Sequence, residues 1–267
     1  MNRSHKLHSF VVLAYKESPY LESCIRSVLH QSEESRVVIA TSTPNSYIQK
    51  YADKYGLEVV INPQARGGIG CDFDFARKCA DSILVTVAHQ DDIYDYQYAS
   101  SMVNSYKKYK DALILFPDYY EIRGKQKIFS NINLKIKKLL LSPLRSIKRA
   151  NAKWRKRAVL ALGNSICCPA VTFVNGNIRE DEIFPRDLLC NVDWKAWEIL
   201  SRKQGRFVYI RKMLMGHRVH EGSTTTEIIR GNIRTKEDFD ILKSFWPAPL
   251  AKFITKVYSL SEKSNSN

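Results

Sequence analysis

The sequence lacks any apolar run that approaches the roughly 18 residues of a membrane-spanning helix. Its six cysteines form no Cys-x-x-Cys pair, and no secretory signal precedes Phe10. These absences predict that the chain does not cross a membrane and that its thiols are reduced, rather than joined in disulfides or bound to zinc. We therefore expect a cytoplasmic location, or a peripheral one on the inner face of the cell membrane.

Acidic residues are absent between Arg123 and Arg157, a stretch with 13 lysines and arginines that leaves only +2 of the net charge of +15 to the rest of the chain. Leucine, isoleucine and tryptophan alternate with the basic residues there. Such a basic, partly amphipathic segment is typical of a surface drawn to anionic lipid, and a solvated face is the alternative. A nucleic-acid partner is disfavoured because the stretch carries no nucleic-acid-binding motif.

Short apolar runs alternate with amphipathic stretches in the first third of the chain. The runs predict strands at Ser9–Ala14, Arg36–Ala40, Leu57–Ile61 and Ile83–Ala88. The stretches between them predict helices, because apolar residues recur at helical spacing and Gly56 provides a stop. Strands that alternate with helices in this way indicate a parallel, doubly wound sheet with right-handed crossovers.

A glycine-rich loop, Arg66-Gly67-Gly68-Ile69-Gly70, follows the third predicted strand. Its glycines are typical of a tight strand-to-helix turn. The loop matches the dinucleotide-binding fingerprint poorly, because that fingerprint follows the first strand and needs a ribose-binding acid about 20 residues further on. A NAD-binding fold is therefore disfavoured.

Two adjacent carboxylates, Asp91 and Asp92, follow the fourth predicted strand. Open α/β sheets deliver functional groups at the carboxyl ends of their strands. Neighbouring acidic oxygens are the usual ligands of Mg²⁺ or Mn²⁺ when these ions carry a phosphate-bearing substrate. An Asp-Asp pair alone is more often a solvated turn or a helix cap, so the pair needs support from other residues.

Four stretches in order supply that support, and together they resemble the family 2 glycosyltransferases of the GT-A fold: FVVLAYKESPYLESCIRSVLHQS (10–32), NPQARGGIGCDFDFARKCADSILVTVAHQDDIYD (62–95), NVDWKAWEIL (191–200) and HRVHEGSTT (217–225). The resemblance implies transfer of a sugar from a nucleotide-sugar donor to an acceptor hydroxyl, usually with inversion and with a divalent metal. It implies donor-binding residues at Ala14, Tyr15, Glu17, Thr41, Ser42, Gly70, Asp72, Gln90, Asp91 and Arg218.

The family's Asp-x-Asp motif is altered in this chain. His89 stands where the first aspartate is expected, and Asp91 falls on the second, metal-contacting position. The ribose or water-holding role of the first aspartate is therefore in doubt. Asp92 would take over part of that role or face the acceptor, and His89 is either functional or a packing residue at the strand end.

The base-binding region departs from the family as well. Residues 40–45, ATSTPN, lack the aspartate of the family's Asp-Asp-Gly-Ser segment, so the hydroxyls of Thr41 and Ser42 would serve the nucleotide base instead. Asp72 matches a position near the base or ribose. A helix N-cap is the alternative for that residue.

The resemblance implies that Asp193 is the catalytic base, because inverting transfer needs a carboxylate that takes the proton of the attacking hydroxyl. Trp194 would contact the acceptor or pack beneath the base. Further on, Arg218 would neutralise the donor diphosphate, and His220 would bind the metal or the leaving diphosphate. A helix cap at Asp193 and a surface strand over His217–His220 are the alternatives.

The predicted fold is α/β and GT-A-like, a mostly parallel doubly wound sheet flanked by helices, with a basic helical insert (123–157) and a helical C-terminal tail. Residues 1–230 would form the domain that binds the nucleotide-sugar and the acceptor, and 231–267 a helical extension. We predict an inverting glycosyltransferase that uses a UDP-sugar, Mn²⁺ or Mg²⁺, and a saccharide or lipid-linked acceptor in surface-polysaccharide synthesis. The alternatives are a nucleotidyltransferase on a similar sheet and a non-catalytic basic module that binds membrane or RNA.

Overall fold

The computed structural model describes residues 6–64, 67–220 and 233–263. Its strands are β1 (His8–Ala14), β2 (Arg36–Thr41), β3 (Glu58–Ile61), β4 (Leu84–His89), β5 (Ile93–Tyr94), β6 (Ala112–Arg123), β7 (Gln126–Ile128), β8 (Thr172–Val174) and β9 (Arg206–Val219). Its helices are α1 (Leu21–Leu29), α2 (Ser46–Tyr55), α3 (Gly68–Lys78), α4 (Tyr98–Lys108), α5 (Ile132–Leu140), α6 (Lys153–Ala158), α7 (Val192–Ser201), α8 (Ile233–Leu242) and α9 (Ala248–Lys263). The predicted loop residue Arg66 and the motif residues 221–226 lie outside the described residues.

The strands form one sheet in the order β3-β2-β1-β4-β8-β6-β9-β5, with β7 beside β6. Strands β3, β2, β1 and β4 run parallel, as do β6 and β9, while β8 runs antiparallel between β4 and β6. The predicted α/β fold with a mostly parallel sheet is confirmed. The four predicted strands also form, with ends within one residue of those expected.

The parallel half of the sheet is buried on both faces. Along β1, Val11 packs with Val38 in a core on one face, whereas Phe10 and Val12 pack with Ile39 in a core on the other. A strand covered on both sides has no solvent face, which explains why these segments are continuous apolar runs without polar alternation.

Helix α2 shows how local sequence sets the ends of these elements. The side chain of Asn45 accepts a hydrogen bond from the backbone N–H of Ile48 (2.9 Å), which caps the helix start. Gly56 ends the helix with a φ of 63°, in the left-handed region that glycine adopts without strain. The predicted stop at Gly56 is therefore confirmed.

The basic stretch 123–157 is helical only in part, because short 3-10 turns separate α5 from α6. Its charges do not all face solvent. Lys156 is fully buried, and its ammonium donates hydrogen bonds to the backbone oxygens of Lys203 (2.5 Å) and Gly205 (2.8 Å). Burial lowers the pKa of Lys156 to about 8. Part of the positive charge therefore holds the insert to the rest of the fold.

The C-terminal helices pack against the start of α7. The carboxylate of Glu237, on α8, accepts backbone N–H hydrogen bonds from Leu189 (2.8 Å), Cys190 (3.0 Å) and Asn191 (2.9 Å). The division of the chain at residue 230 into a domain and an extension stays a prediction. Every helix in the described part of the chain is too short or too polar to span a bilayer.

Candidate active site

The carboxyl ends of β1, β2 and β4 meet at one edge of the sheet, where Ala14 at the end of β1 pairs with Thr41 of β2. Gln90 joins the ends of β1 and β4, because its amide donates to the Tyr15 backbone oxygen (2.9 Å) and accepts from the Tyr15 N–H (3.1 Å). Tyr15 and Glu17 are exposed at this edge. The structure thus groups five of the predicted donor-binding residues.

A second polar cluster lies beside them, at the ends of β2 and β3. The two carboxylate oxygens of Asp72 accept hydrogen bonds from Ser42 Oγ (2.8 Å) and Asn62 Nδ2 (2.7 Å). Asp72 lies in the second turn of α3, and Gly67 occupies the N-cap, so the N-cap alternative is wrong. A carboxylate has about four acceptor positions, which leaves Asp72 able to accept further hydrogen bonds.

Gly70 has a packing role in the structure. A Cβ at this position would lie 2.3 Å from the backbone oxygen of Pro185, so only glycine allows this approach. Asp74, one turn further on, accepts the N–H groups of Ile183 (3.1 Å) and Phe184 (3.0 Å). Together these contacts hold α3 to the chain at 183–185, and this contact explains the glycine without a ligand.

Asp91 is the centre of a cluster drawn from three parts of the chain. Its Oδ1 accepts a hydrogen bond from Ser18 Oγ (2.5 Å), and its Oδ2 lies 3.3 Å from His220 Nε2. Arg218 donates from Nε to the Asp91 backbone oxygen (2.9 Å), and its guanidinium lies over the ring of Tyr20, 4.2 Å from the centroid. The predicted metal and diphosphate residues are therefore neighbours in space.

Asp92 faces the other way and is almost fully buried. Its Oδ1 accepts the backbone N–H of Arg218 (2.8 Å) and lies 3.2 Å from Nδ1 of His217. Burial alone would lower the pKa of His217, but the charge and hydrogen bond of Asp92 raise it above its ordinary value. The burial contradicts the predicted acceptor contact of Asp92, whose carboxylate instead fixes the end of β9.

His89 packs in the protein interior. Its ring stacks on Phe73, with 5.2 Å between centroids and 15° between planes. Burial lowers the pKa of the His89 imidazole, which favours the neutral form. The packing alternative for this residue is what the structure shows, and a ribose-binding role for His89 stays a prediction.

Asp193 lies in the first turn of α7, and its carboxylate is held at both oxygens. Oδ2 accepts from Asn164 Nδ2 (2.7 Å), and Oδ1 accepts from the backbone N–H of Trp194 (2.7 Å). Burial raises the pKa of Asp193, and these hydrogen bonds oppose the rise. Part of its surface still meets solvent. A carboxylate with this environment can accept a proton from a bound hydroxyl.

Trp194 does not reach the acceptor side. Its side chain has no exposed surface, and Nε1 donates to the Leu160 backbone oxygen (3.1 Å). This burial contradicts the predicted acceptor contact and supports packing beneath Asp193. Trp197, on the next turn of α7, is also fully buried and stacks on Phe173 in the core.

The donor set near β4 fits one divalent ion. The Asp91 carboxylate and the His220 imidazole lie close enough to share a ligand, and Mg²⁺ or Mn²⁺ commonly takes one or two protein ligands and fills its other positions with phosphate and water. In the described residues, no three or more His, Cys, Asp or Glu side chains form a metal-binding group. Bound phosphate would therefore have to complete the coordination.

Three residues at the site were not predicted from the sequence. Ser18 was assigned only to a helix start, although it contacts Asp91. Asn164 holds Asp193, and Lys137 donates to the hydroxyl of Tyr119 (2.9 Å). Asn164 and Lys137 lie outside the four motif stretches, so only the fold brings them to the site.

Comparison with known proteins places the chain among sugar transferases. The profile of the family described as Glycosyl transferase family 2 matches residues 9–170. S. aureus TarS 1–349 in complex with UDP-GlcNAc is 15% identical, with a TM-score of 0.63 over 93% of this chain and 70% of that one. A longer S. aureus TarS chain is covered over only 42% of its length.

A mannosyltransferase, PcManGT from Pyrobaculum calidifontis, has the same fold. In its complex with GDP-Man and Mn²⁺ it is 11% identical, with a TM-score of 0.57 over 99% of this chain and 77% of that one. Among the curated proteins, no sequence matches significantly. At these identities the solved structures establish the fold, and the family profile establishes the relationship.

Proposed function

Because the chain belongs to glycosyl transferase family 2, we propose that it moves a sugar from a UDP-sugar to a hydroxyl of a saccharide or lipid-linked saccharide, with inversion and with a divalent metal. Family membership makes the chain a glycosyltransferase, so the alternative of a non-catalytic module is not kept. The proposal rests chiefly on the cluster of Asp91, Ser18, Arg218 and His220 at the end of β4.

The nucleoside would lie against the ends of β1 and β2. Asp72, positioned by Ser42 and Asn62, can accept an N–H of a nucleotide base, and the exposed ring of Tyr15 offers a stacking surface. TarS binds UDP-GlcNAc and PcManGT binds GDP-Man on this fold. Both bases have N–H donors, and we commit to uridine because the polar cluster is small.

The diphosphate would lie beside Asp91. Arg218 presents a guanidinium that suits phosphate oxygens, and its stacking on Tyr20 fixes the plane of that group. Asp91 and His220 would hold Mn²⁺ or Mg²⁺. When bound, that ion neutralises the negative charge that develops on the departing diphosphate.

Asp193 would act on the acceptor. The acceptor oxygen attacks the anomeric carbon, the bond from that carbon to the phosphate oxygen breaks, and the hydroxyl proton passes to the Asp193 carboxylate. Asn164 and the Trp194 N–H hold the carboxylate in one orientation. Attack from the face opposite the leaving group inverts the anomeric configuration.

The acceptor would be part of surface-polysaccharide synthesis at the inner membrane face. Helix α5 supports a peripheral contact, because Ile132, Ile136 and Leu139 share one helix face and are exposed, with the exposed Lys135 beside them. Apolar side chains would enter the lipid interface while the cations meet anionic headgroups.

Nucleotide release by the purified protein tests the proposal. UDP-sugars and GDP-sugars are each supplied with Mn²⁺, with Mg²⁺ or with EDTA, and free UDP and GDP are measured. We expect slow UDP release that requires the metal, because water can replace the acceptor. Preferential GDP release would contradict the uridine assignment, and release that EDTA leaves unchanged would contradict the metal requirement.

A further inference from the structure

One lysine of the basic stretch points into the protein. Lys137, on α5, is only partly exposed, and its Nζ donates to the Tyr119 hydroxyl (2.9 Å) and lies 5.3 Å from the centroid of that ring. Lys135, on the same helix, is exposed. The insert therefore presents one ammonium toward the sheet and another toward solvent.

Lys137 lies between the two chemical ends of the candidate active site. The Tyr119 ring packs edge-on against His217, 6.0 Å between centroids, and His217 contacts Asp92 beside the donor site. On its other side, Lys137 lines a cavity of about 10 Å³ with Ser165, the residue after Asn164. A cavity of this size holds about one water.

The acceptor base feels the charge of Lys137. Burial raises the pKa of Asp193, and the ammonium of Lys137 opposes that rise. Such an electrostatic effect requires the two groups to be near each other in a region partly shielded from water. Lys137 is thus a member of the acceptor side, although it comes from the insert.

Nothing in the described part of the chain neutralises Lys137. No carboxylate there forms an ion pair with it, whereas its neighbour Lys138 pairs with Asp118 (3.6 Å). The Tyr119 hydroxyl that accepts its hydrogen bond is neutral, because burial raises the pKa of Tyr119 to about 12. A partly buried cation without a counter-charge is costly, so an anion is the ligand that this position favours.

We propose that Lys137 binds a phosphate group of the acceptor, so that the acceptor is a phosphate-bearing saccharide or polyol. This inference rests on the proposed function, since Asp193 defines the acceptor side. The donor diphosphate already has Arg218 and the ligands at Asp91, which leaves Lys137 for a second anion. Lys137 differs in this from the exposed cations of the insert, which meet bulk solvent.

Calorimetry with a simple phosphate ester tests the site. The protein is saturated with UDP and Mn²⁺, which blocks the diphosphate site, and is titrated with sn-glycerol 3-phosphate or with glycerol. We expect wild type to bind only the phosphate ester. Lys137→Gln should weaken binding at least about tenfold, the size of one charged hydrogen bond, while Lys137→Arg keeps most of it.

Lys135→Gln is the matched control, because it removes the same charge from the same helix at an exposed position. It should bind the ester like wild type. Equal losses in Lys135→Gln and Lys137→Gln would overturn the site in favour of a general field. Absence of binding in wild type, or a loss of UDP affinity in Lys137→Gln, would overturn it as well.

Two further measurements separate the possible failures. Titration with UDP alone comes first, and its failure would count against the proposed function; the ester is then titrated without UDP, which still tests Lys137. Binding to phosphatidylglycerol vesicles distinguishes a lipid headgroup from an acceptor phosphate. Vesicle binding should be unchanged in Lys137→Gln, and its loss in that variant would overturn the acceptor assignment.

Discussion

At the scale of single residues, Asp91 links the strand end to the two segments that close over it. One carboxylate oxygen accepts from Ser18, before α1, and the other faces His220, after β9. The same carboxylate that would hold an ion therefore also orders its surroundings. Charge and shape at this position can be separated experimentally, because asparagine keeps the shape and loses the charge.

We predict that Asp91→Asn lowers metal-dependent affinity for UDP by at least about tenfold, since the variant loses an anionic ligand for the ion. Thermal unfolding should change little, because the amide can still accept from Ser18. Calorimetry with UDP and Mn²⁺ measures the affinity. Asp81→Asn, at an exposed loop position, is the control. Undiminished affinity in Asp91→Asn would contradict the metal assignment.

A second prediction concerns the base. Asp193→Asn should lower kcat for transfer by about 10²–10⁴-fold and leave UDP affinity near that of wild type, because the loss lies in the chemical step. Initial rates with an acceptor and binding of UDP are the two measurements. Substantial residual transfer would move the role of base to another carboxylate.

The pH dependence of transfer checks the same residue. Burial raises the pKa of Asp193, so activity should fall on the acid side at a higher pH than for an ordinary aspartate. Asn164→Ala removes a hydrogen bond that stabilises the ionised form, and the acid limb should move further upward. An unchanged limb in Asn164→Ala would show that Asp193 does not control it.

At the scale of elements, α5 carries two different surfaces. Its outer face exposes Ile132, Ile136 and Leu139, and its inner face sends Lys137 to Tyr119. The sequence interpretation treated all the basic residues of 123–157 alike. The structure divides them, because a helix directs residues two positions apart to different sides.

We predict salt-sensitive binding to anionic vesicles that depends on the exposed cations of the insert. It should be lost when four of them are changed to glutamine: Lys135, Arg145, Lys148 and Arg149. Each contributes about 1 kcal/mol near an anionic surface, and salt screens this attraction within about 8 Å at physiological ionic strength. Vesicle sedimentation at low and high salt measures it.

The control removes four exposed cations elsewhere, at Lys50, Lys107, Lys108 and Lys110. This variant should bind vesicles like wild type, because those lysines lie outside the insert. Equal binding by both quadruple variants would leave the insert as a solvated face. Transfer to a soluble acceptor should survive the changes at the insert.

At the scale of the whole molecule, the parallel half of the sheet was predictable and the rest was not. Strands β1 to β4 follow one another with short connections, so local apolar runs were sufficient. The contacts of Asp92 with His217 and Arg218 join residues about 125 positions apart, and no local pattern encodes them. The motif resemblance named the site residues, but burial alone decided that Asp92 and Trp194 face inward.

The buried Lys156 makes a prediction for the stability of the whole fold. Its native pKa of about 8 lies below the roughly 10.4 of an unfolded lysine. Below pH 8 the lysine is charged in both states, and the native state bears the cost of burying that charge. As pH rises from about 8 to 10.4 the native lysine deprotonates first, so this contribution to the free energy of unfolding increases by about 3 kcal/mol.

Urea unfolding at pH 7 and pH 10 measures that increase as a difference between variants. Lys156→Met should lack the increment that wild type shows, because methionine does not titrate. Lys153→Met, an exposed change on the same helix, should behave like wild type. The same pH response in all three proteins would contradict the lowered pKa.

The hold of Glu237 on residues 189–191 gives the chain an order of maturation during synthesis. A ribosome completes β1 to β9 before α8 emerges, so the sheet and its donor edge can assemble on the nascent chain. The turn that presents Asp193 receives its acceptor for three N–H groups only when Glu237 arrives. Donor recognition would therefore precede catalytic competence, and a nascent chain would bind nucleotide before it could transfer sugar.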